Sequence, residues 1–298
     1  PLWSRGLGDV YKRQPPSILA VIIAALAEVS TAGMLIAGII PGLLLMGLFL
    51  IYINIRLRLN PSLAPDLSAD QASPGAKQSA LMALARMLPC VLVFFMVMGF
   101  IMAGVATPTE SAATGVVGAV IAAAIYRRLS LKMLMEAFTT AATVTGLVLI
   151  IMCSAVMFSQ VLSFTGAPAA VGEFITHLSL PAWLMFFAMM AVPFVLFMFL
   201  DQLAIMLVLI PIYKPLLGHY GFDAIWFWTM FLIVATVGGL TPPFGYVLFA
   251  MKSAVPTLSM GDIYKASWPF VWIIVGGMFL LWLFPPLITW LPSLTAPK

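Results

Sequence analysis

Charged side chains are scarce in this sequence. Asp, Glu, Lys and Arg together make up 8% of the 298 residues, whereas they make up roughly 25% of an ordinary soluble domain. Apolar residues make up 63%, more than a soluble core of this length buries. A lipid bilayer tolerates exposed apolar surface but requires every backbone polar group to be paired inside the chain. The composition therefore predicts an all-α polytopic membrane protein.

Residues that commonly carry catalysis are also scarce. The two cysteines, Cys90 and Cys153, stand alone in apolar runs without metal-ligand spacing, and the two histidines lie in predicted loops. The sequence contains no HExxH, GxSxG or GxxxxGK[ST] pattern, so zinc hydrolysis, serine hydrolysis and nucleotide hydrolysis have no support. We therefore expect that the chain is not an enzyme and that it has no organic cofactor.

Charge patterning predicts how the chain crosses the bilayer. Lys and Arg cluster around the polar linker at 60–83 and recur at 127–132 and at 252–265, while the turns at 104–109 and 165–181 have none. By the positive-inside rule, the basic segments are cytoplasmic. This assignment holds only if the chain enters and returns over about 182–217. We therefore predict a re-entrant hairpin there, with its turn at Asp201-Gln202.

An internal repeat agrees with this topology. Pro15-Pro16 and Pro242-Pro243 each open an apolar half-helix that leads, 17 or 18 positions later, to Gly33 or Gly261 and then to a proline-containing helix. The charge pattern gives the two copies opposite directions, and inverted repeats with broken helices are typical of secondary transporters.

The repeat and the linker define the expected organisation of the chain. Residues 1–14 are polar and differ from the apolar remainder of the chain, and we interpret them as non-native or adapter-derived sequence. Residues 15–59 are the end of the first repeat and 60–83 are a cytoplasmic linker. Residues 84–298 are the second repeat, which contains the hairpin and a broken helix at about 224–256.

The break in the second repeat is the strongest candidate for a binding site. Two adjacent prolines remove two backbone donors, so the carbonyls one turn earlier lose their helical partners. At membrane depth, such carbonyls are tolerated where they face protein or a wet cavity, and there they can bind a cation. A simple kink is the alternative interpretation. The candidate residues are Gly238, Gly239, Thr241, Pro242, Pro243 and Gly245.

Asp201 is the second candidate. It is the only charged residue between Pro181 and Tyr213, and a carboxylate in the membrane usually faces a cavity, a cation or a partner. At a hairpin tip it could bind a cation or hold the tip to the scaffold. If the hairpin were two ordinary spans, Asp201 would lie in a surface loop.

Two further segments complete the candidate set. Thr107, Pro108, Thr109 and Glu110 fit a helix start, with Thr107 as N-cap, proline at the first helical position and Glu110 closing a capping box. A structural role explains this segment, although it could also lie beside the site. Pro15-Pro16-Ser17 is the partner break of the repeat, where Ser17 offers a hydroxyl.

From about Pro15 onward, the sequence resembles the large membrane subunit of tripartite ATP-independent periplasmic (TRAP) transporters. The resemblance rests on several motifs in order: 107–111 (TPTES), Asp201, and 238–245 (GGLTPPFG). Residues 15–17 and 37–42 resemble the end of that family's first repeat. The family's initial helices and its first hairpin have no counterpart here, which indicates an N-terminally truncated fragment.

This resemblance implies an elevator-type secondary transporter in a bacterial inner membrane. Such a protein imports organic acids, often dicarboxylates or sugar acids, with sodium ions. A small four-helix membrane subunit and an extracytoplasmic substrate-binding protein are its partners. The resemblance also implies a sodium site near Thr241 and Asp201. A related ion-coupled dicarboxylate symporter or antiporter without a binding protein, and a non-transporting membrane scaffold, remain alternatives.

Overall fold

The structure, a computed structural model, is entirely helical within the residues it describes. These are 18–61, 88, 91–166, 170, 180–243, 245–254 and 257–295. In chain order the helices are α1 Ile18–Ala27, α2 Thr31–Ala37, α3 Ile39–Leu59, α4 Val91–Met102, α5 Pro108–Ile125, α6 Leu131–Phe164, α7 Ala182–Phe197, α8 Gln202–Tyr220, α9 Ala224–Leu240, α10 Tyr246–Ala254, α11 Met260–Leu283 and α12 Pro286–Thr295.

Five helical stretches are long and apolar enough to cross a bilayer. They are Thr31–Leu59, which comprises α2 and α3, Pro108–Ile125, Leu131–Phe158 within α6, Gln202–Tyr220 and Met260–Leu283. Many large apolar side chains on these helices are exposed, as expected for helices whose solvent is lipid. The predicted all-α polytopic membrane class is confirmed.

The chain forms two compact units. One comprises residues 1–46 and 146–296, and the other comprises 47–145 and 297–298. In the second unit α4 packs against the small residues of α5, where a Cβ on Gly118 would lie 3.0 Å from Met96 Sδ. This division differs from the repeat-based one at 59/60 and 83/84, which stays a prediction. Residues 1–14 and most of the 60–83 linker lie outside the described residues.

Helix α9 is the centre of the first unit. Twelve of its seventeen residues are buried, and it packs against α1, α2, α7, α8, α10, α11 and α12. Because a helix buried on all sides needs no polar face, α9 is uniformly apolar apart from its two threonines. Asp223 begins the helix as its N-cap, and its carboxylate accepts a hydrogen bond from Trp226 N at 2.7 Å.

Helices α7 and α8 form a helical hairpin with its turn at 198–201. Phe186, near the start of α7, contacts both Phe222, which lies just beyond α8, and Trp226 of α9, with ring centroids 6.1 and 4.7 Å apart. The two open ends of the hairpin therefore meet at the beginning of α9. Helix α8 continues through Pro211 and Pro215 to Tyr220, three residues beyond the expected end of the hairpin at about 217. It ends at Gly221, whose φ of +67° favours glycine.

The internal repeat has a counterpart in the helices. In each copy a half-helix, α1 of ten residues or α10 of nine, precedes a long helical segment that begins at a serine N-cap. Ser30 Oγ accepts a hydrogen bond from Gly33 N, and Ser259 Oγ accepts one from Asp262 N, both at 3.1 Å. The two copies differ in the long helical segment. In the first copy this segment is interrupted at Gly38, whereas in the second it continues through Pro269.

Candidate functional site

The central helix is interrupted at the double proline. Helix α9 ends at Leu240 and the chain resumes as α10 at Tyr246, so this segment is not one continuous helix. Pro242 and Pro243 have no N–H, and therefore Gly238 O and Gly239 O have no donor four residues ahead. Thr241 N instead donates to Gly238 O at 3.2 Å. The interruption thus frees acceptor capacity on the carbonyls of the last α9 turn.

The break is held in place by contacts on several sides. Thr241 is fully buried, and its Oγ1 donates to Val237 O at 2.7 Å. Tyr264, on α11, donates its hydroxyl to Pro243 O at 2.8 Å. A Cβ at Gly245 would lie 2.7 Å from Gly239 O, so only glycine permits the backbone to pass this close. The segment is a packed, ordered turn within the protein.

The hairpin tip lies against the last two turns of α9. Gln202 Nε2 donates to Ala235 O, and Phe197 Cβ occupies the space into which a Cβ at Gly238 would project. These two contacts stand on either side of the hairpin turn at 198–201. Because consecutive Cα atoms are about 3.8 Å apart, Asp201 is held one residue from the Gln202 contact. The structure therefore brings Asp201 to the end of the helix that the double proline interrupts.

Asp201 caps helix α8. Its Oδ1 accepts hydrogen bonds from Leu203 N at 3.0 Å and from Ala204 N at 3.3 Å, and the residue is exposed. Among the described residues, none donates a hydrogen bond to its other oxygen, Oδ2. The cap accounts for one carboxylate oxygen, while the second remains available to a cation or a donor. Capping and cation binding are therefore compatible.

The length of α9 indicates the depth of this site. From the start of α9 to the Ala235 contact is a rise of about 16 Å, and to Gly238 about 21 Å. The hydrocarbon core of a bilayer is about 30 Å thick. If α9 begins near one surface, the hairpin tip and the break both lie in the interior. The re-entrant character of the hairpin stays a prediction.

The first-repeat break, Pro15, Pro16 and Ser17, lies outside the described residues. The helix directly after it, α1, packs on α8 and α9. Its far end is near the beginning of α9, because the Glu28 carboxylate pairs with Lys214 of α8 at 2.6 Å and Gly33 contacts Ile225. The start of α1 therefore points toward the α9 break. The membership of Pro15 to Ser17 in one site with Thr241 stays a prediction.

The segment 107–110 belongs to the other compact unit and forms the expected capping box. Thr107 donates from its backbone N and its Oγ1 to Glu110 Oε2, both at 2.8 Å, and Glu110 N donates to Thr107 Oγ1 at 3.3 Å. Pro108 is the first helical residue, and Thr109 is the second. The structural interpretation of this segment is confirmed. A further role of this segment beside a binding site stays a prediction.

The oxygen atoms at the break suit a hard monovalent cation. Within the described part of the chain, no group of three His, Cys, Asp or Glu side chains could hold a transition metal. A sodium site would instead use backbone carbonyls, the Thr241 hydroxyl and the Asp201 carboxylate, which are the kinds of oxygen that transporters use for coupling ions.

Sequence reasoning missed the two residues that dock the hairpin tip, Gln202 and Phe197. A signal for Gln202 exists, because it is an uncharged polar residue beside Asp201 at the start of an apolar run. Nothing local marks Phe197, which is one of 21 phenylalanines.

Comparison with known proteins identifies the family. The family model described as "Tripartite ATP-independent periplasmic transporter, DctM component" matches residues 9–287. A C4-dicarboxylate TRAP transporter large permease protein of Pseudomonas aeruginosa is 31% identical over 94% of this chain and 62% of its own length. The sialic acid TRAP transporter permease protein of Haemophilus influenzae is 28% identical over 95% of this chain and 45% of its own length.

A third relative is the ectoine/5-hydroxyectoine TRAP transporter large permease protein of Ruegeria pomeroyi, 28% identical over 97% of this chain and 66% of its own length. The chain thus spans about two thirds or less of the length of these relatives. With helices able to cross a membrane, a double-proline break and a docked hairpin, the chain belongs to the family of TRAP transporter large permease subunits.

Proposed function

We propose that this chain is the permease region of a secondary transporter that imports organic acids with sodium ions across the bacterial inner membrane. The observation that carries the proposal is the docking of the hairpin tip, with its single carboxylate, onto a helix interrupted by two prolines. We further propose that an extracytoplasmic binding protein delivers the substrate and that a small four-helix membrane subunit braces the permease. Movement would be of the elevator type.

The proposed cation ligands are Asp201 Oδ2, the Thr241 hydroxyl oxygen and the carbonyl of Gly239. The Thr241 proton is donated to Val237 O, so lone pairs of its oxygen remain for a cation. The carbonyl of Gly239 lacks its helical donor because residue 243 is proline. Once the Asp201 charge is balanced by sodium, a substrate carboxylate can approach the positive N-terminal end of α8 without repulsion. This ordering would couple substrate uptake to sodium.

The substrate class rests on the relatives and on this electrostatic argument. The relatives are named for C4-dicarboxylates, sialic acid and ectoine. We propose an organic acid, with dicarboxylates or sugar acids as the first compounds to assay.

The test separates the capping role of Asp201 from its charge. Asp201→Asn keeps an N-cap oxygen but removes the charge, whereas Asp201→Ala removes both. The matched control is Asp223→Asn, because Asp223 caps α9 at its other end. Uptake is measured in proteoliposomes that contain the permease, the small subunit and the binding protein, with sodium or potassium at equal ionic strength.

If Asp201 binds the cation, Asp201→Asn raises the sodium concentration for half-maximal uptake at least about tenfold, the effect of one charged contact. Asp223→Asn leaves that concentration unchanged. Uptake that is indifferent to sodium in the wild-type protein would refute the coupling. Recovery of wild-type kinetics in Asp201→Asn would restrict Asp201 to capping. Uptake without the binding protein would favour the related symporters.

A further inference from the structure

We propose that Gln202 is a positioning residue that fixes the hairpin tip, and with it Asp201, to α9. Gln202 is 7% exposed and begins α8 directly after Asp201. Its side-chain amide donates to the backbone carbonyl of Ala235, 33 residues later in the chain. The bond therefore joins two separate elements, in contrast to the hydroxyls of Thr236 and Thr241, which donate to carbonyls four residues earlier.

The chemistry of the two groups determines which one donates this hydrogen bond. A carbonyl oxygen only accepts, so the Gln202 group that faces Ala235 O is the NH₂. A buried amide without a partner is costly in an apolar environment. If the tip lifted away from α9, this buried amide would lose its acceptor. The hydrogen bond therefore favours the docked tip over the undocked tip.

A second contact lies on the other side of the same turn. Phe197, the last residue of α7, packs directly against Gly238, where the missing Cβ allows the two backbones to approach. The turn at 198–201 is thus held at both of its ends, by an apolar contact and by a hydrogen bond. Asp201 lies between these two points and cannot move far from the α9 break while both persist.

The consequence concerns cation affinity, and in this respect the inference rests on the proposed function. If Gln202 positions Asp201, loss of its hydrogen bond misplaces a ligand and weakens sodium binding, while the rate at saturating sodium is retained. A residue needed only for folding would instead lower the amount of active protein, and hence the maximal rate.

The direct test is hydrogen–deuterium exchange of the tip amides, 198–204, in the full chain in lipid nanodiscs. Gln202→Met has nearly the same length and removes only the polar group. Leu203→Met is the matched control, because it changes the adjacent residue without touching the contact. A second variant, Gln202→Asn, keeps the amide but is one methylene too short to reach Ala235. Each protein is measured in sodium and in potassium at equal ionic strength.

We expect Gln202→Met and Gln202→Asn to accelerate exchange at the tip up to about tenfold, the effect of one hydrogen bond, with Leu203→Met at the wild-type rate. Wild-type exchange at the tip of Gln202→Met would overturn the positioning role. Acceleration that extends equally across α1 and α11 would also overturn it, because it would indicate general loss of packing. If the tip of the wild-type protein exchanges at the same rate in sodium and in potassium, the proposed sodium site is contradicted. The positioning role of Gln202 is not affected by that result.

Discussion

Gly238→Ala tests the docking of the hairpin on the interrupted helix. An added Cβ at this position would overlap Phe197 Cβ and would lie 3.1 and 3.2 Å from the carbonyl carbon and the Cα of Phe197. These neighbours are backbone atoms and a Cβ, so no side-chain rotation relieves the overlap. The hairpin tip must move away from α9 as a whole.

Two opposing effects determine how strongly Gly238→Ala changes stability. Alanine favours a helix over glycine by about 1 kcal/mol, and overpacking a buried contact costs about 1–3 kcal/mol. Overpacking acts on the docking of the tip and shifts that equilibrium by about fivefold to 150-fold, whereas the helix propensity acts on the folding of α9 and offsets part of the loss in melting temperature. Gly276→Ala is the matched control, because Gly276 lies within α11 and a Cβ there would meet nothing within 4 Å.

The assay is thermal unfolding of the purified chain in detergent, combined with deuterium exchange of the tip. Gly238→Ala should lower the melting temperature and accelerate exchange at 198–204, while Gly276→Ala should leave the tip unchanged and preserve or raise the melting temperature. If Gly238→Ala behaves like Gly276→Ala, the tip does not pack on α9 as described and the site reasoning is wrong.

Other contacts lead to three more predictions. Thr241→Val should raise the sodium concentration for half-maximal uptake severalfold, whereas Thr236→Val, which removes a similar hydroxyl-to-carbonyl bond in the same helix, should not. Glu110→Ala should destabilise the first turn of α5, because the capping box loses its carboxylate, and this is seen as faster exchange at 107–111 with Glu110→Gln as control. A hydrogen bond from the Lys214 ammonium, together with its positive charge, lowers the pKa of Glu28, so the pair is formed above the ordinary carboxyl pKa and is lost as pH falls through the lowered pKa. Lys214→Met should return the pKa of Glu28 toward its ordinary value, as measured by carboxyl ¹³C NMR.

Local chemistry explains which features were predictable. Proline removes a backbone donor wherever it stands, so the interruption at Pro242-Pro243 follows from two adjacent residues. The capping box at Thr107 and Glu110 is likewise a four-residue pattern. The hairpin turn beside Asp201 was predictable because a lone carboxylate in an apolar run marks a tip or a loop.

Long-range packing explains what local patterns do not indicate. Tryptophans near helix ends are typical of membrane interfaces, yet Trp226 and Trp228 are 6% and 1% exposed in the core. Burial there depends on α2, α7 and α11 surrounding α9. The extension of α8 past Pro211 and Pro215 has the same origin, because neighbouring helices support a helix that isolated prolines would end.

The sequence alone determined that this protein is helical, that it lies in a membrane, where its central helix is interrupted and which family it resembles. These features follow from composition and proline chemistry, which act locally. The tertiary structure decided that Asp201 and Gln202, although adjacent, have different roles at the hairpin tip. Asp201 is exposed and presents a carboxylate, whereas Gln202 is buried and reaches Ala235. No pattern within the hairpin specifies this division, since it depends on a helix that lies 33 residues further along the chain.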